Sequence, residues 1–347
     1  MLDQPSLAQC LAPYRTGGEL QTQVADTTLA LAQAAVSISE LVSKGGLAGD
    51  LAGATGATSD GDAQKALDLI ANDLILAALS RCPVAQIASE ENDEIQHLPG
   101  NGPLAVAVDP VDGSANIATN GAIGTIFSIR AADAGDASEL GAFASTGEAQ
   151  LAAGYVLYGP QTTLVLTTGS GVDVFVLERK TAAFLRTKTG IRIPRGTRDY
   201  AINASNARHW DPPVRQFVED CLAGSSGPLG VDYNTRWYAA MIGEAHRILL
   251  GGGVFLYPGD ARPGYHEGRL RLVYEAQAVA FLIEQAGGAA SDGYRPIRTI
   301  LPQRLHQRVP LIFGAPEEVS RIDMLHAAPA DDRSVAPLFG RRGLFRS

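Results

Sequence analysis

Two short apolar runs, residues 83–88 and 104–108, each end in paired carboxylates: Glu90-Glu91 after the first, Asp109 and Asp112 after the second. A brief, nearly uninterrupted apolar run reads as a strand buried on both faces. Both acidic pairs therefore fall at strand ends. This pattern predicts an α/β protein built in layers, with negative charge concentrated at one margin of a sheet.

The flanking sequence supplies the other layers. Over residues 20–44 the apolar positions Val24, Leu29, Leu31, Ala35, Val36, Ile38 and Leu41 recur at helical spacing, and Lys44-Gly45-Gly46 stops the helix. The glycine-rich residues 45–61 disfavour regular structure and predict a mobile loop. Asp62 can cap a second helix over residues 63–79, with Leu67, Ile70, Leu74, Ile75 and Ala78 as its buried stripe and Asp68 off the stripe's centre. Residues 123–130, 151–158, 162–168 and 172–178, separated by Gly-, Pro- or Ser-rich breaks, predict an antiparallel sheet.

At 347 residues the chain exceeds one ordinary core of ~100 to 200 residues, so two domains are expected. The basic, Pro/Gly-containing residues 193–198 mark the boundary and divide the chain into 1–193 and 194–347. The second unit is predicted to hold a strand at 201–204, helices at 213–222 and 237–250, a strand at 251–257, a helix at 274–285 stopped by Gly287-Gly288, and a strand at 310–313.

A net charge of -9 gives no basic footprint, which argues against nucleic acid and anionic membrane surfaces as partners. Cys10, Cys82 and Cys221 are few and odd in number, as expected of reduced thiols in the cytoplasm. The first fifteen residues lack a basic start followed by an apolar core, and no apolar run approaches ~18 residues, so a cytoplasmic location is expected.

The string Asp109-Pro110-Val111-Asp112-Gly113-Ser114 places two carboxylates on a tight turn, beside backbone N–H groups that can face an oxyanion. Hard cations such as Mg²⁺ take oxygen ligands at ~2.0 to 2.1 Å, so Asp rather than His or Cys suits them. By itself the string reads equally as a solvated Asp-Pro turn, Asp62 as a helix cap and Glu275 as a surface acid. The six histidines show no zinc-like spacing, so His209, His246 and His306 read as structural or surface residues.

The longer string from Asp109 through Ser114-Ala115-Asn116-Ile117, followed by Ile123-Gly124-Thr125-Ile126-Phe127, resembles the signature of the fructose-1,6-bisphosphatases. These belong to the Mg-dependent, Li-sensitive, inositol-monophosphatase-like sugar phosphatases. Further matches occur in order: Gly61-Asp62 through Leu67-Asp68, Ser89-Glu90-Glu91, Gly252 to Pro258, Leu270-Arg271-Leu272-Val273-Tyr274-Glu275, and Ile300-Leu301-Pro302 through Arg308. The resemblance implies a layered α-β-α-β sandwich with mixed, antiparallel-rich sheets. The implied activity is Mg²⁺-dependent hydrolysis of the 1-phosphate of fructose 1,6-bisphosphate by a metal-activated water, in gluconeogenesis or the Calvin cycle. Metal ligands carried over are Glu90, Glu91, Asp109, the Val111 carbonyl, Asp112 and Glu275, for two or three Mg²⁺, with Mn²⁺ as an alternative. Asp62, Asp68 and Glu91 complete the catalytic set. Asp112, Gly113, Ser114, Asn203, Arg236, Trp237, Met241, Tyr257 and Arg269 fall where the family binds substrate, with Arg236 reaching in from a neighbouring subunit of a homotetramer.

Physical chemistry supports the same set. Seven carboxylates in one cleft repel one another unless cations compensate them, and a phosphate monoester needs its phosphoryl charge neutralised and a water activated. A bisphosphate also needs a second anion site, for which Arg is the fork-shaped donor. Three substitutions depart from many relatives: Trp237 and Asn206 stand where Tyr is usual, and Arg269 where Lys is usual. The family's AMP site is dismantled, with Gly17 and Gln21 replacing a Thr pair, Pro103 and Leu104 a Lys-Tyr pair, and Ala131 an Arg, so AMP inhibition is expected to be weak or absent. Residues 135–150 contain no Cys, which argues against thiol regulation of the plastid type. The alternatives are a dual fructose/sedoheptulose bisphosphatase, an inositol-type monophosphatase that would not need Asn203, Tyr257 and Arg269 together, and a non-enzymatic, metal-dependent sugar-phosphate-binding regulator.

Overall fold

The structure, a computed structural model, describes residues 4–57, 63–99, 102–132 and 139–328. Helix α1 (Leu7–Arg15) starts on a capping box between Ser6 and Gln9 and runs into the long helix α2 (Glu19–Lys44). Strands β1 (Ala54–Ala57) and β2 (Ala63–Lys65) then pair antiparallel, where the glycine content of residues 45–61 predicts a loop throughout. That pairing takes residues 63–65 out of the predicted second helix. Helix α3 (Ala66–Leu79) starts three residues late, because Asp68 Oδ2 accepts the Lys65 N–H at 2.7 Å and sets the first turn there. Its buried face includes Leu67, Ala71, Ile75 and Ala78 together with Asp68 and Asn72, whereas Ile70 is 38% exposed.

Strands β3 (Val84–Ser89), β4 (Gln96–His97), β5 (Leu104–Asp112), β6 (Ile123–Ala131), β7 (Gln150–Tyr158), β8 (Thr162–Thr167), β9 (Asp173–Glu178) and β10 (Ala183–Lys188) form one sheet in the order β10-β9-β8-β7-β6-β5-β3-β4. Only β3 and β5 run parallel; the other neighbours are antiparallel. The two-residue period of a strand sends alternate side chains to opposite faces. Phe127, Ile129 and Val156 pack toward α1–α3, while Ile126 and Tyr155 face the other way. Each fully buried Ile, Leu or Phe contributes ~1.5 to 3 kcal/mol, so both faces of this sheet are stabilised by burial.

The second part contains β11 (Asp199–Ala201), α4 (Pro212–Leu222), β12 (Asn234–Thr235), α5 (Met241–Gly251), β13 (Val254–Tyr257), β14 (Leu270–Arg271), α6 (Gln277–Gln285), β15 (Ala289–Ser291), β16 (Arg308–Val309), β17 (Leu311–Gly314) and α7 (Pro316–Ala327). A five-stranded mixed sheet has the order β12-β11-β13-β17-β15, and β14 pairs with β16. Helices α5 and α6 lie between the two sheets, with Ile242, Ile248, Val279 and Ile283 packed against Ile126, Tyr155, Phe255 and Phe313. The expected α-β-α-β layering is therefore present, and α4 and α7 cover the outer face of the second sheet through Phe217, Val218, Val319 and Ile322.

Two predicted helices begin later than their periodicity suggests. Ala239 adopts a left-handed φ of 57°, which breaks the run after Trp237, so α5 starts at Met241. Residues Leu272–Ala276 form one π-helical turn ahead of α6. Among the described residues, no helix is long and apolar enough to cross a membrane.

Candidate active site

The two acidic strand ends meet the start of the π turn. Strand β5 continues through Asp109 and Asp112 instead of turning at Asp109, with an irregularity in its pairing to β6 between those two residues. Pro110 has no N–H to give the ladder, and its carbonyl accepts from Thr125 Oγ1 at 2.8 Å. This bulged geometry aims Asp109 and Asp112 into one cleft. The π turn brings Glu275 to them, and carboxylate oxygens of Asp109, Asp112 and Glu275 lie within 4.8 Å of one another, all buried.

Each acid is oriented by the backbone or by a side chain. The Val111 N–H donates to Asp109 Oδ1 at 2.9 Å, the Ile242 N–H at the start of α5 donates to Asp112 Oδ2 at 2.7 Å, and the Arg271 N–H donates to Glu275 Oε2. The Arg271 guanidinium lies 3.8 Å from Glu90. Gln64 Nε2 donates to Glu91 Oε2 at 2.7 Å, and behind the pair Ser89 Oγ donates to Asn72, which in turn donates to Asn92 at 2.8 Å. Asp68 Oδ2 is taken by the Lys65 N–H, but its buried Oδ1 has no hydrogen-bond partner among the described residues.

Burial and crowding leave these acids in electrostatic conflict. Burial first, then Glu90, Glu275, Asp112 and Glu91, raises Asp109 well above the usual carboxylate range. Glu275 is raised likewise by burial, Glu90 and Asp112, against the hydrogen bond from Arg271. Burial pushes Asp112 up to about 6 in spite of N–H donors from Ile242 and Gly113. Asp68 rises to about 7 through burial, with Glu91 adding to the rise and the Lys65 N–H opposing it. An all-oxygen donor set with this much unrelieved repulsion fits a hard divalent cation, which would remove the conflict.

The acids line one side of a cavity of about 450 Å³. Asp68, Glu90, Glu91, Asp109, Val111, Asp112, Gly113, Ser114, Asn203, Trp237, Met241, Tyr257, Arg269 and Glu275 all face it. Gly113, at φ 78°, is packed so closely that a Cβ there would stand 2.8 Å from the Ala240 side chain. Among the other lining residues Trp237 stacks on Phe255 with centroids 6.1 Å apart, and the Tyr257 ring lies 6.4 Å from that of Trp237. Met241 is buried at the first position of α5 and faces the cavity, so its packing and site roles coincide. Arg236 does not line the cavity; it is largely exposed and lies 3.7 Å from Asp199. Asp62 lies outside the described residues.

The sequence reading missed Gln64, Arg271 and the Ser89-Asn72-Asn92 chain. Arg271 carried the strongest unused signal, a basic residue inside the apolar string that ends at Glu275. His246 is half-buried against the Tyr155 hydroxyl at 3.0 Å and does not line the cleft.

A layered α/β fold whose cleft is lined by buried carboxylates together with Arg269 and aromatic side chains fits the class of metal-assisted, anion-binding proteins. Family profiles described as "Fructose-1-6-bisphosphatase, N-terminal domain" and "Fructose-1-6-bisphosphatase, C-terminal domain" match residues 14–189 and 193–327. A class 1 fructose-1,6-bisphosphatase of Nitrobacter hamburgensis is 52% identical over 347 residues, the whole of both chains. One from Rhodopseudomonas palustris (strain BisA53) is 49% identical over 342 residues, 98% of each chain. The crystal structure of Leishmania major fructose-1,6-bisphosphatase in holo form superposes with a TM-score of 0.86 at 32% identity, covering 94% of this chain and 99% of that one. The chain belongs to the class 1 fructose-1,6-bisphosphatase family.

Proposed function

We infer that this chain is a phosphoric monoester hydrolase that converts D-fructose 1,6-bisphosphate to fructose 6-phosphate and phosphate. The observation that carries this reading is the single cleft joining the carboxylate cluster to the wall of Asn203, Tyr257 and Arg269. One end suits the phosphate that is cleaved, and the other supplies a guanidinium for the phosphate that is kept.

Glu90, Glu91, Asp109, Asp112, Glu275 and the Val111 carbonyl would hold two or three Mg²⁺. When bound, such cations neutralise phosphoryl oxygens and lower the pKa of water. The chain's own contribution begins with Asp68. Its unpartnered Oδ1 and its pKa near 7 suit it to take the proton of the attacking water. Glu91, fixed by Gln64, orients that water, and Asp62 completes the set. The water oxygen bonds to phosphorus as the bond from phosphorus to the sugar O1 breaks. N–H groups of Gly113 and Ser114 face the 1-phosphate, Met241 packs on the sugar, and Asn203, Trp237, Tyr257 and Arg269 take the 6-phosphate end. We further propose a cytoplasmic homotetramer in which Arg236, turned away from its own cleft, serves a neighbouring subunit, and a division into units 1–193 and 194–347.

Phosphate release with Mg²⁺ from fructose 1,6-bisphosphate, sedoheptulose 1,7-bisphosphate and inositol 1-phosphate at equal concentration tests the reading. Preference for fructose 1,6-bisphosphate is expected. Preference for inositol 1-phosphate would overturn the role of the arginine wall, and absence of metal-dependent release would overturn the activity.

A further inference from the structure

Between β13 and β14 the chain makes a loop that ends at Arg269 on the cleft wall. Tyr265 is the hub of that loop. Its carbonyl accepts the N–H groups of Asp260 and Gly268, each at 3.0 Å, and its own N–H donates to the Arg262 carbonyl at 3.0 Å. Gly268, at φ 77°, lies so close to β16 that a Cβ would stand 2.5 Å from the Val309 backbone. The loop is therefore folded on itself and pinned to a neighbouring strand.

The Tyr265 ring carries two guanidinium groups, that of Arg262 at 4.1 Å from its centroid and that of Arg269 at 4.7 Å. Arg262 is committed to Asp260, whose buried carboxylate accepts its Nε at 2.9 and 3.1 Å and also its Nη2. An aromatic face attracts a guanidinium and lets it lie flat, which restricts a side chain that otherwise has many rotamers. A donor ordered before its anion arrives loses less freedom on binding.

We propose that Tyr265 is a positioning residue for the distal phosphate of a sugar bisphosphate: its ring fixes Arg269 at the cleft wall, and the Asp260-Arg262 pair braces the ring from the loop. The inference rests on the bisphosphate reading above and adds the residue on which discrimination between a bisphosphate and a monophosphate depends. Tyr265 is half-buried on a loop, so substitution there leaves both cores untouched.

The test compares the parent enzyme, Tyr265→Leu and Tyr265→Phe on fructose 1,6-bisphosphate and on fructose 1-phosphate, which lacks the distal group. In Tyr265→Leu the KM for the bisphosphate is expected to rise about tenfold with kcat retained and with the monophosphate KM unchanged. Tyr265→Phe, which keeps the ring, is expected to match the parent. An unchanged bisphosphate KM in Tyr265→Leu overturns the proposal, as does an equal rise for both substrates or a loss in Tyr265→Phe as large as in Tyr265→Leu. A parent enzyme that does not distinguish the two sugars overturns the bisphosphate reading and this inference with it. A discriminating parent beside an unaffected Tyr265→Leu variant overturns this inference alone.

Discussion

At one end of the cleft Asp109, Asp112 and Glu275 are buried, fixed by backbone N–H groups and pushed toward protonation by burial and by one another. Elsewhere on its lining Asn203, Tyr257 and Arg269 are half-buried; ring stacking and a self-bonded loop order Tyr257 and Arg269, and the Ser205 N–H donates to Asn203 Oδ1 at 3.1 Å. The first end gathers carboxylates whose mutual repulsion a bound cation would relieve. The second presents a guanidinium already stacked on an aromatic ring. The contrast separates two kinds of binding energy, one in which the chain's own repulsion is relieved and one in which a preordered donor meets its partner.

Glu91→Gln should break the first end most severely. It keeps the shape that Gln64 holds but removes the charge that orients the water from which Asp68 takes a proton, and losing that proton-transfer step typically costs ~10²- to 10⁴-fold in rate. A fall of that size in kcat, with sugar-bisphosphate affinity retained by calorimetry, is expected; loss of affinity with kcat preserved would reverse the roles of the two ends. Arg269→Ala probes the far end and should raise KM by ~10- to 100-fold, the usual cost of a charged hydrogen bond, with kcat little changed in steady-state assays. If kcat fell and KM held, Arg269 would belong to the chemistry instead.

The smallest effect is on stability. An acid whose folded pKa lies above its unfolded value of ~3.9 stabilises the fold while protonated, and that contribution is lost as pH rises through the folded value. Asp112 and Asp68, at about 6 and about 7, should therefore make metal-free protein less heat-stable as pH climbs through that window. Added Mg²⁺ should flatten the slope. Melting curves with chelator and with Mg²⁺ across this range test it, and a metal-free Tm that rises there would mean the acids are not in conflict.

Much of this contrast was legible in the sequence, because acids after apolar runs mark strand ends and because the arginine wall lies in strings of recognisable order. Fold details set by long-range contacts were less so. The periodicity through Trp237 cannot reveal that Ala239 turns left-handed where Asn116 Nδ2 donates to its carbonyl at 3.4 Å. Glycine content cannot reveal that residues 54–57 find a partner in residues 63–65. Asp68 looked peripheral to its helix because apolar spacing assigns the buried face by hydrophobicity, whereas here that face carries a buried polar patch, Asp68 and Asn72, of which Asp68 lines the cleft. Gln64 and Arg271 went unassigned because each acts on a neighbour's carboxylate, and such roles have no spacing of their own.

The hydrogen bond from the Ile242 N–H to Asp112 has a consequence for how such chains can recombine. Helix α5 has no side-chain cap of its own, and the carboxylate that holds its first turn comes from 130 residues earlier. The junction between the matched residues 14–189 and 193–327 offers a natural crossover point by contiguity. A chimera joined there inherits its α5 from one parent and the acid that anchors it from the other, so Asp112 and the 239–242 segment are fit to travel only as a pair.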